Sequence, residues 1–316
     1  MPLLTTDASG VHVIAPTPFD ETGALDLVST ARMVERYLAT GATGFTILGV
    51  MGEAPKLTGA ESRTFVKEVL ARVGSRAVVT VGVSSPGFAA MSDLAKAAMD
   101  MGASGVMIAP TPGLRTDDQI VGYFADAIEA IGSDVPWVLQ DYPQTTTVVM
   151  APKVVARIIT ALPSCVMLKH EDWPGLDKIT TLRRQEAAGE LRRVSILIGN
   201  GGMFLPFEMD RGADGAMTGY AYPEMLVDVV ALSRSGARAE AHDLFDRHLP
   251  LVRYETQPGL GLSVRKYVLK RRGIIAHDTL RKPGPKLSAE TIADIEWLMA
   301  RIKASPIGRH SQDIAA

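Results

Sequence analysis

Short β-rich segments alternate with longer amphipathic segments along most of this chain. The candidate strands are 11–16, 44–49, 77–83, 105–110, 136–142, 165–170, 195–200 and 215–220. Each is followed by a segment whose apolar residues have helical spacing, such as 24–38 or 151–162. Strands that alternate with helices pair in parallel, and eight such units are enough to close a barrel. The pattern therefore predicts an α/β fold, a (β/α)8 TIM barrel.

The sequence changes character after the eighth unit. No strand pattern follows residue 236, and the segments 237–255, 261–273 and 288–302 have the spacing of three helices. We predict two domains, a catalytic barrel over 1–236 and a C-terminal helical appendage over 237–316, with a frayed tail from residue 303. The basic segment at 264–273, "VRKYVLKRRG", is interpreted as the solvated face and last turn of a helix, in preference to an anion-binding patch.

Composition excludes several classes of protein. The chain has 316 residues, of which 47% are hydrophobic and 22% charged, as in a soluble globular protein. The net charge of -2 creates no field that would attract nucleic acid or an anionic membrane. We find neither a secretory signal nor an apolar run of about 18 residues that could span a bilayer, so we predict a cytoplasmic protein.

Metal, cofactor and disulfide signals are also missing from the sequence. The single cysteine, Cys165, excludes an internal disulfide and lies in an apolar strand, where a core role is expected. The six histidines do not have the spacing of a recognised metal site. No glycine-rich dinucleotide motif follows a strand. We therefore predict neither a metal nor a cofactor.

One lysine stands out at the end of the sixth predicted strand, where "CVMLK" runs from four apolar residues directly into Lys169. Barrel enzymes carry their chemistry at the C-terminal ends of the strands. Lysine is seldom buried without a partner, and a neutral amine is a nucleophile for carbonyl carbons. The other lysines, Lys178 among them, are interpreted as lying in loops or on polar helix faces. The alternative for Lys169 is a side chain that reaches solvent at the barrel rim.

Glu171 lies two residues beyond Lys169. Side chains alternate between the two faces of a strand, so residues 169 and 171 point the same way. A carboxylate beside an amine supplies a nucleophile and a proton-transfer group in one site. The alternative is a plain ion pair at the strand end.

Other strand ends supply further candidates for a pocket. "GVMGE" at 49–53 is a turn whose backbone N–H groups could hold an anion, although its glycines could also serve the turn alone and Glu53 could cap the next element. The glycine-rich turn at 199–202 is equally ambiguous. The predicted substrate-binding residues are Thr17, Gly49, Val50, Met51, Gly52, Glu53, Gln140, Gly199, Asn200 and Thr218.

Four of these features together resemble a known family. "APTPF" at 15–19, G-x-x-G-E at 49–53, the turn with Pro143 and the lone Lys169 are similar to the dihydrodipicolinate synthase/N-acetylneuraminate lyase family. The resemblance covers essentially the whole chain. It implies a (β/α)8 barrel with a helical C-terminal domain, a homotetramer, and a class I lyase that joins or splits 2-oxo acids through a Schiff base on Lys169.

The chain departs from that family at three motifs, one of which is a tyrosine pair after strand 4 that Thr111 and Pro112 replace here. Most relatives have G-T-T-G-E after strand 2, with hydroxyls that bind the substrate carboxylate and relay a proton, whereas this chain has Val50 and Met51. Strand 5 usually ends in Y-N-x-P with a relay tyrosine, and Gln140 occupies that position here. Tyr142 shares a strand face with Gln140, so it is the remaining candidate for a catalytic hydroxyl.

A branch of the family shows the same exchange. Glutamine on strand 5 and glutamate two residues after the lysine resemble the 2-keto-3-deoxy-sugar-acid dehydratases. The resemblance implies elimination of water from a short hydroxylated 2-oxo acid. The alternatives are a pyruvate-releasing aldolase, a condensing enzyme like dihydrodipicolinate synthase, and a catalytically silent barrel that binds a ligand.

Overall fold

A closed barrel of eight parallel strands forms the centre of the protein. The computed structural model describes residues 1–304, and within them each strand pairs with the next while β8 pairs with β1. The predicted (β/α)8 barrel is therefore confirmed. The strands are β1 (Gly10–Ile14), β2 (Gly44–Ile47), β3 (Val78–Gly82), β4 (Gly105–Ile108), β5 (Trp137–Asp141), β6 (Cys165–His170), β7 (Ser195–Ile198) and β8 (Gly215–Ala216).

Helices surround the barrel and continue beyond it. They are α1 (Leu27–Ala39), α2 (Gly59–Val73), α3 (Phe88–Asp100), α4 (Asp117–Ile131), α5 (Pro143–Thr146), α6 (Pro152–Ala161), α7 (Leu176–Ala187), α8 (Leu205–Met209), α9 (Pro223–Arg234), α10 (Arg238–Glu255), α11 (Gly261–Arg271) and α12 (Ala289–Ala304). The last three agree with the three predicted C-terminal helices. Helix α10 packs against α9, α11 and α12 and also contacts α8, so the appendage rests on the barrel's outer helices.

The predicted domain boundary stays open, and the predicted start of the tail was wrong. The boundary at residue 237 falls between α9 and α10 and remains a prediction. Helix α12 continues to Ala304, so residues 303 and 304 are helical where a frayed tail was predicted. The rest of that tail, 305–316, lies outside the described residues.

Element boundaries follow local backbone chemistry. Strand β6 spans residues 165–170, as predicted. Helix α1 begins after Asp26, whose carboxylate accepts a hydrogen bond from Ser29 N and caps the helix. Strand β2 ends two residues before its predicted end, because Leu48 has a φ of 55° and cannot continue an extended ladder. The irregular backbone after β2 forms the turn that carries the G-x-x-G-E motif.

Two apolar layers hold the barrel together. The interior is filled by Leu4, Ile14, Met107, Val138, Met167, Leu197 and Met217, all of which are buried. A larger layer between the strands and helices contains Phe45, Phe124 and Trp137, with Cys165 also inside it. Burial of such a side chain contributes roughly 1.5–3 kcal/mol to folding. Burial also raises the pKa of the Cys165 thiol to about 12, in keeping with the predicted core role.

The basic segment on α11 differs from its interpretation as a solvated helix face. Arg265 and Lys266 are 3% and 0% exposed. Arg265 Nε lies 3.1 Å from Glu255 Oε2, and Lys266 Nζ lies 2.6 Å from Glu53 Oε1. The interpretation was wrong for these two residues because buried carboxylates on other elements compensate their charges. Within residues 1–304, no helix is both long and apolar enough to cross a membrane.

Candidate active site

The side chain of Lys169 enters the barrel above the apolar interior. Met167, Leu197 and Met217 belong to the interior cluster on β6, β7 and the extension of β8. Because strand side chains alternate, the interior positions two residues further along are those of Lys169, Gly199 and Gly219. Lysine and two glycines therefore form the next layer at the carboxyl end, where barrel enzymes hold their substrates.

Lys169 and Glu171 form a buried ion pair in this layer. The distance from Lys169 Nζ to Glu171 Oε2 is 2.9 Å, and each residue is 5% exposed. Gln140 Nε2 donates to Glu171 Oε2 at 2.7 Å, and Asn200 N donates to Oε1 at 3.0 Å. Both carboxylate oxygens are thus held by donors. Strands β5 and β6 and the turn after β7 position one amine and one acid side by side.

Gly199 makes room for the glutamate. A Cβ atom at residue 199 would lie 2.2 Å from Glu171 Cγ, far inside van der Waals contact. Asn200, next in the chain, has a φ of 49° and turns its N–H toward the carboxylate. The predicted glycine-rich turn is therefore shaped around Glu171.

Tyr142 is close enough to the same group to be affected by its charge. Its side chain is half-buried at the start of α5. Burial raises the pKa of Tyr142, the carboxylate of Glu171 raises it further, and the guanidinium of Arg265 opposes that rise. The structure thus brings together Lys169, Glu171, Gln140 and the 199–200 turn, with Tyr142 at the edge of this group.

The turn after β2 is tied to the end of β1. Thr17 Oγ1 donates to the carbonyl of Gly52 at 2.6 Å, and Thr17 is fully buried. Met51 packs against the interior cluster, Gly49 is buried, and Val50 is 51% exposed. Gly49, Val50 and Met51 themselves carry no hydroxyl, and the hydroxyl of Thr17 is bonded to the carbonyl of Gly52. Any polar contact that this turn makes with a ligand must come from its backbone.

Glu53 is held by cations outside the Lys169 group, and Thr218 is on the strand face that points away from the barrel interior. The Glu53 carboxylate contacts Lys266 Nζ at 2.6 Å and Lys56 Nζ at 2.9 Å, and it accepts from Arg281 N at 3.0 Å. Burial lowers the pKa of Lys266 to about 8, although Glu53 opposes the change. Glu53 therefore fastens the β2 turn to the C-terminal helices. The methyl group of Thr218 lies near Gly202, on the side of β8 opposite to Met217.

A second buried charge cluster lies behind the same strand ends. Lys178 Nζ contacts Asp141 Oδ2 at 2.7 Å and Asp172 Oδ2 at 2.6 Å. Lys178 is 7% exposed, so its interpretation as a loop or polar-face lysine was wrong. Asp141 and the adjacent His170 pair in register across β5 and β6. The cluster thereby fixes the strand ends that carry Gln140 and Lys169.

Three buried cations were missed in the sequence: Lys178, Arg265 and Lys266. Their partners Asp141, Glu255 and Glu53 are 37, 10 and 213 residues away, so no local spacing points to these pairs. Asp172, the second partner of Lys178, is six residues away but lies on the loop before α7, outside any helical spacing. Residues 1–304 contain no group of three or more histidine, cysteine, aspartate or glutamate side chains that could hold a metal ion.

Comparison with known proteins fixes the family. The sequence model described as the Dihydrodipicolinate synthetase family matches residues 7–301. The chain belongs to this family. Its members are class I lyases that form a Schiff base, so the chain is an enzyme of that class. The resemblance seen in the sequence is thereby confirmed.

Named relatives within the family differ in activity. The chain is 28% identical to the L-2-keto-3-deoxyarabonate dehydratase of Azospirillum brasilense over 93% of its length and 94% of that protein's. It is 30% identical to 4-hydroxy-tetrahydrodipicolinate synthase 1 of Streptomyces coelicolor, covering 88% and 89% of the two chains. A crystal structure described as dihydrodipicolinate synthase from Rhodopseudomonas palustris is 58% identical with a TM-score of 0.94, covering 95% and 100%.

Proposed function

We propose that this enzyme dehydrates a 2-keto-3-deoxy sugar acid through an imine on Lys169. One observation carries the proposal: Gln140 occupies the position where a relay tyrosine is usual, and its amide holds Glu171 2.9 Å from the lysine amine. An acid–base carboxylate thus replaces a hydroxyl beside the nucleophile. The similarity to a 2-keto-3-deoxyarabonate dehydratase supports the same reaction.

Imine formation uses Lys169 and Glu171 together. Transfer of a proton from the lysine to Glu171 leaves a neutral amine, which attacks the keto carbon of the substrate. Glu171 returns a proton to the carbinolamine oxygen, which leaves as water. The resulting iminium ion withdraws electrons from the neighbouring methylene carbon, which makes its protons acidic. Burial of the pair keeps competing water away from these steps.

Elimination then uses the carboxylate again. Glu171 removes a proton from the methylene carbon, and the electron pair of that C–H bond forms an enamine. The enamine expels the hydroxyl group on the next carbon, which takes a proton from Glu171 and leaves as water. Hydrolysis of the conjugated imine frees Lys169 and releases an unsaturated 2-oxo acid. Its double bond shifts toward the next hydroxyl-bearing carbon, and the resulting enol becomes a second carbonyl group. No redox partner is required, because the reaction is a net loss of water.

A condensing reaction is the second candidate. It is favoured by the 58% identity to a structure described as a dihydrodipicolinate synthase and by the 30% identity to the Streptomyces enzyme. In that reaction the enamine of pyruvate attacks an aldehyde and forms a carbon–carbon bond. The same Lys169 would serve, but the product would contain both reactants. Aldol cleavage is the reverse process and would release pyruvate.

Mass spectrometry of products separates these reactions. The protein is incubated with 2-keto-3-deoxy sugar acids, and with pyruvate plus short aldehydes. Dehydration removes one water from the sugar acid, cleavage releases pyruvate, and condensation adds the two reactants. Borohydride added during incubation should fix the ligand on Lys169, and Lys169→Ala should abolish both the adduct and turnover. Absence of an adduct in the wild type with every 2-oxo acid tested would point to a silent ligand-binding barrel.

Assembly and location remain predictions. We propose a homotetramer and a cytoplasmic location, as predicted from the sequence. One structure with 25% identity to this chain is described as the first monomeric dihydrodipicolinate synthase variant, so the assembly requires its own measurement. Light scattering at assay concentration gives the mass directly, and a mass of one or two chains would contradict the tetramer.

A further inference from the structure

Gly199 and Gly219 lie in the same layer as Lys169, at the carboxyl ends of the strands. A charged side chain occupies the space beside each glycine. Glu171 lies against Gly199, as described above. Arg265 lies against Gly219, since a Cβ atom at residue 219 would be 2.0 Å from Arg265 Nη1 and 2.7 Å from Cζ. A helix of the C-terminal appendage therefore places a guanidinium where the barrel's own side chain would be.

Gly219 is not required by its backbone conformation. Its φ lies outside the left-handed region that favours glycine. Met217, two residues earlier, belongs to the buried interior cluster. Residues 217 and 219 share a strand face, so a side chain at 219 would point into the barrel mouth. The missing side chain thus serves the close approach of Arg265.

The hydrogen bonds of Arg265 are unequally distributed. Nε donates to Glu255 Oε2 at 3.1 Å, and Nη2 donates to the carbonyl of Gly219. Nη1 is fully buried and has no hydrogen-bond partner among residues 1–304. Arginine remains charged and carries five N–H donors, and buried donors are normally paired. One end of this guanidinium is fixed, and the other is free to bind.

The guanidinium of Arg265 lies near the edge of the candidate active site, beside Gly219 of the inward-facing layer. Both the carboxylate of Glu171 and the guanidinium of Arg265 act on the hydroxyl of Tyr142, with opposite effects on its pKa. Glu255 balances the arginine charge from behind while accepting from Ala221 N at 3.2 Å. It therefore holds Arg265 in place without using Nη1.

We infer that Arg265 is a substrate-binding residue whose Nη1 donates to a carboxylate of the substrate. The inference rests on the proposed function, which makes the substrate a 2-oxo acid. A carboxylate matches the geometry and charge of a guanidinium donor. Val50 and Met51 bring no hydroxyl to the β2 turn, so a carboxylate in this pocket needs a donor from another element, and Arg265 can supply one. The carboxylate is either the one beside the keto carbon or a second one at the far end of the substrate.

The variants are chosen to protect the fold. Arg265→Gln alone would leave the buried carboxylate of Glu255 without its ion-pair partner. The main variant is therefore Arg265→Gln with Glu255→Gln. Gly219→Ala is an independent variant, because its methyl group should displace Nη1 without changing any charge. Arg272→Gln is the matched control, since Arg272 pairs with Glu224 and stacks on Tyr222. Circular dichroism and thermal unfolding show which variants retain the fold.

Pyruvate and 2-oxoglutarate are the probes, with one and two carboxylates. For each protein, the concentration that gives half-maximal borohydride-trapped adduct is measured by mass spectrometry. We expect it to rise roughly 10–100-fold in the double variant and in Gly219→Ala, and to stay unchanged in Arg272→Gln. A rise with both probes assigns Arg265 to the carboxylate beside the keto carbon, and a rise with 2-oxoglutarate alone assigns it to the far one. Unchanged values for both probes would overturn the inference.

Binding without imine formation separates this inference from the proposed function. Lactate and 2-hydroxyglutarate carry the same carboxylates but have no keto group, and their dissociation constants can be measured by NMR titration. If the wild type traps no 2-oxo acid, the proposed function fails. Loss of 2-hydroxy-acid binding in the double variant and Gly219→Ala, but not in Arg272→Gln, would still support Arg265. Equal binding in all the proteins would refute it.

Discussion

The amine of Lys169 and the carboxylate of Glu171 lie 2.9 Å apart in a layer of the barrel where both residues are 5% exposed. An exposed ion pair would contribute about 0–1 kcal/mol to stability, and desolvation makes a buried one costly unless further donors hold it. Gln140 and Asn200 supply these donors. The arrangement fits a carboxylate that is held in position to exchange protons with the lysine and its substrate.

Glu171→Gln should slow turnover by about 10²–10⁴-fold, or about 3–5 kcal/mol of activation free energy. The amide keeps the size of the side chain but cannot accept the proton during elimination. Because Glu171 also takes the lysine proton during imine formation, the borohydride-trapped adduct on Lys169 should still form in this variant, but more slowly. Steady-state rates combined with trapping test both parts. A rate close to that of the wild type would return Glu171 to a structural role and make Tyr142 the next hydroxyl to examine.

Gly199→Ala should reproduce much of this loss without removing a functional group. The new methyl group would lie 2.2 Å from Glu171 Cγ and force the carboxylate away from the lysine amine. We expect a fall in kcat of at least about tenfold, since a displaced acid–base group loses most of its contribution. Gly122→Ala is the control, because a Cβ there meets nothing within 4 Å. Equal kcat in the two variants would show that Glu171 needs no exact placement.

The parts of this site that depend on one strand could be predicted from the sequence. Four apolar residues before Lys169 indicate a buried strand, and strand periodicity puts Glu171 on the same face. The eight repeating units predicted the barrel for the same reason. Such patterns can be predicted because the spacing of apolar residues within one element shows which of its faces is buried.

The roles of Arg265, Lys266 and Lys178 could not be predicted in this way. Each lies on a helix and pairs with a carboxylate on another element. A basic residue that ends up buried looks the same in sequence as one in solvent, because the difference depends on tertiary packing. The absence of a side chain at Gly219 indicates the role of Arg265 only when the structure is known, because the space beside Gly219 is filled by a side chain from α11.

Lys178→Met should destabilise the protein by about 3–5 kcal/mol, because Asp141, which is fully buried, would lose its cation. Chemical denaturation at neutral pH measures the change. Lys153→Met provides the matched control, since Lys153 pairs with Asp117 at 2.8 Å but its side chain is 73% exposed. That variant should lose no more than about 1 kcal/mol. Similar losses of unfolding free energy in the two variants would show that burial does not determine how much the Lys178–Asp141 pair contributes to stability.

Stability should also depend on pH through His248, whose Nδ1 lies 3.0 Å from Tyr220 Oη. Burial, with the charges of Arg272 and Arg247, lowers its pKa to about 4 in the folded state, while an unfolded histidine titrates near 6.5. Between these values the unfolded chain binds more protons, so the free energy of unfolding falls as the pH falls. From pH 7 to pH 5, His248 should account for about 2 kcal/mol of that loss. His248→Gln should therefore show a smaller loss than the wild type by that amount when both are unfolded in urea at each pH. Parallel pH curves for the two proteins would mean that His248 takes up its proton as readily in the folded protein as in the unfolded chain.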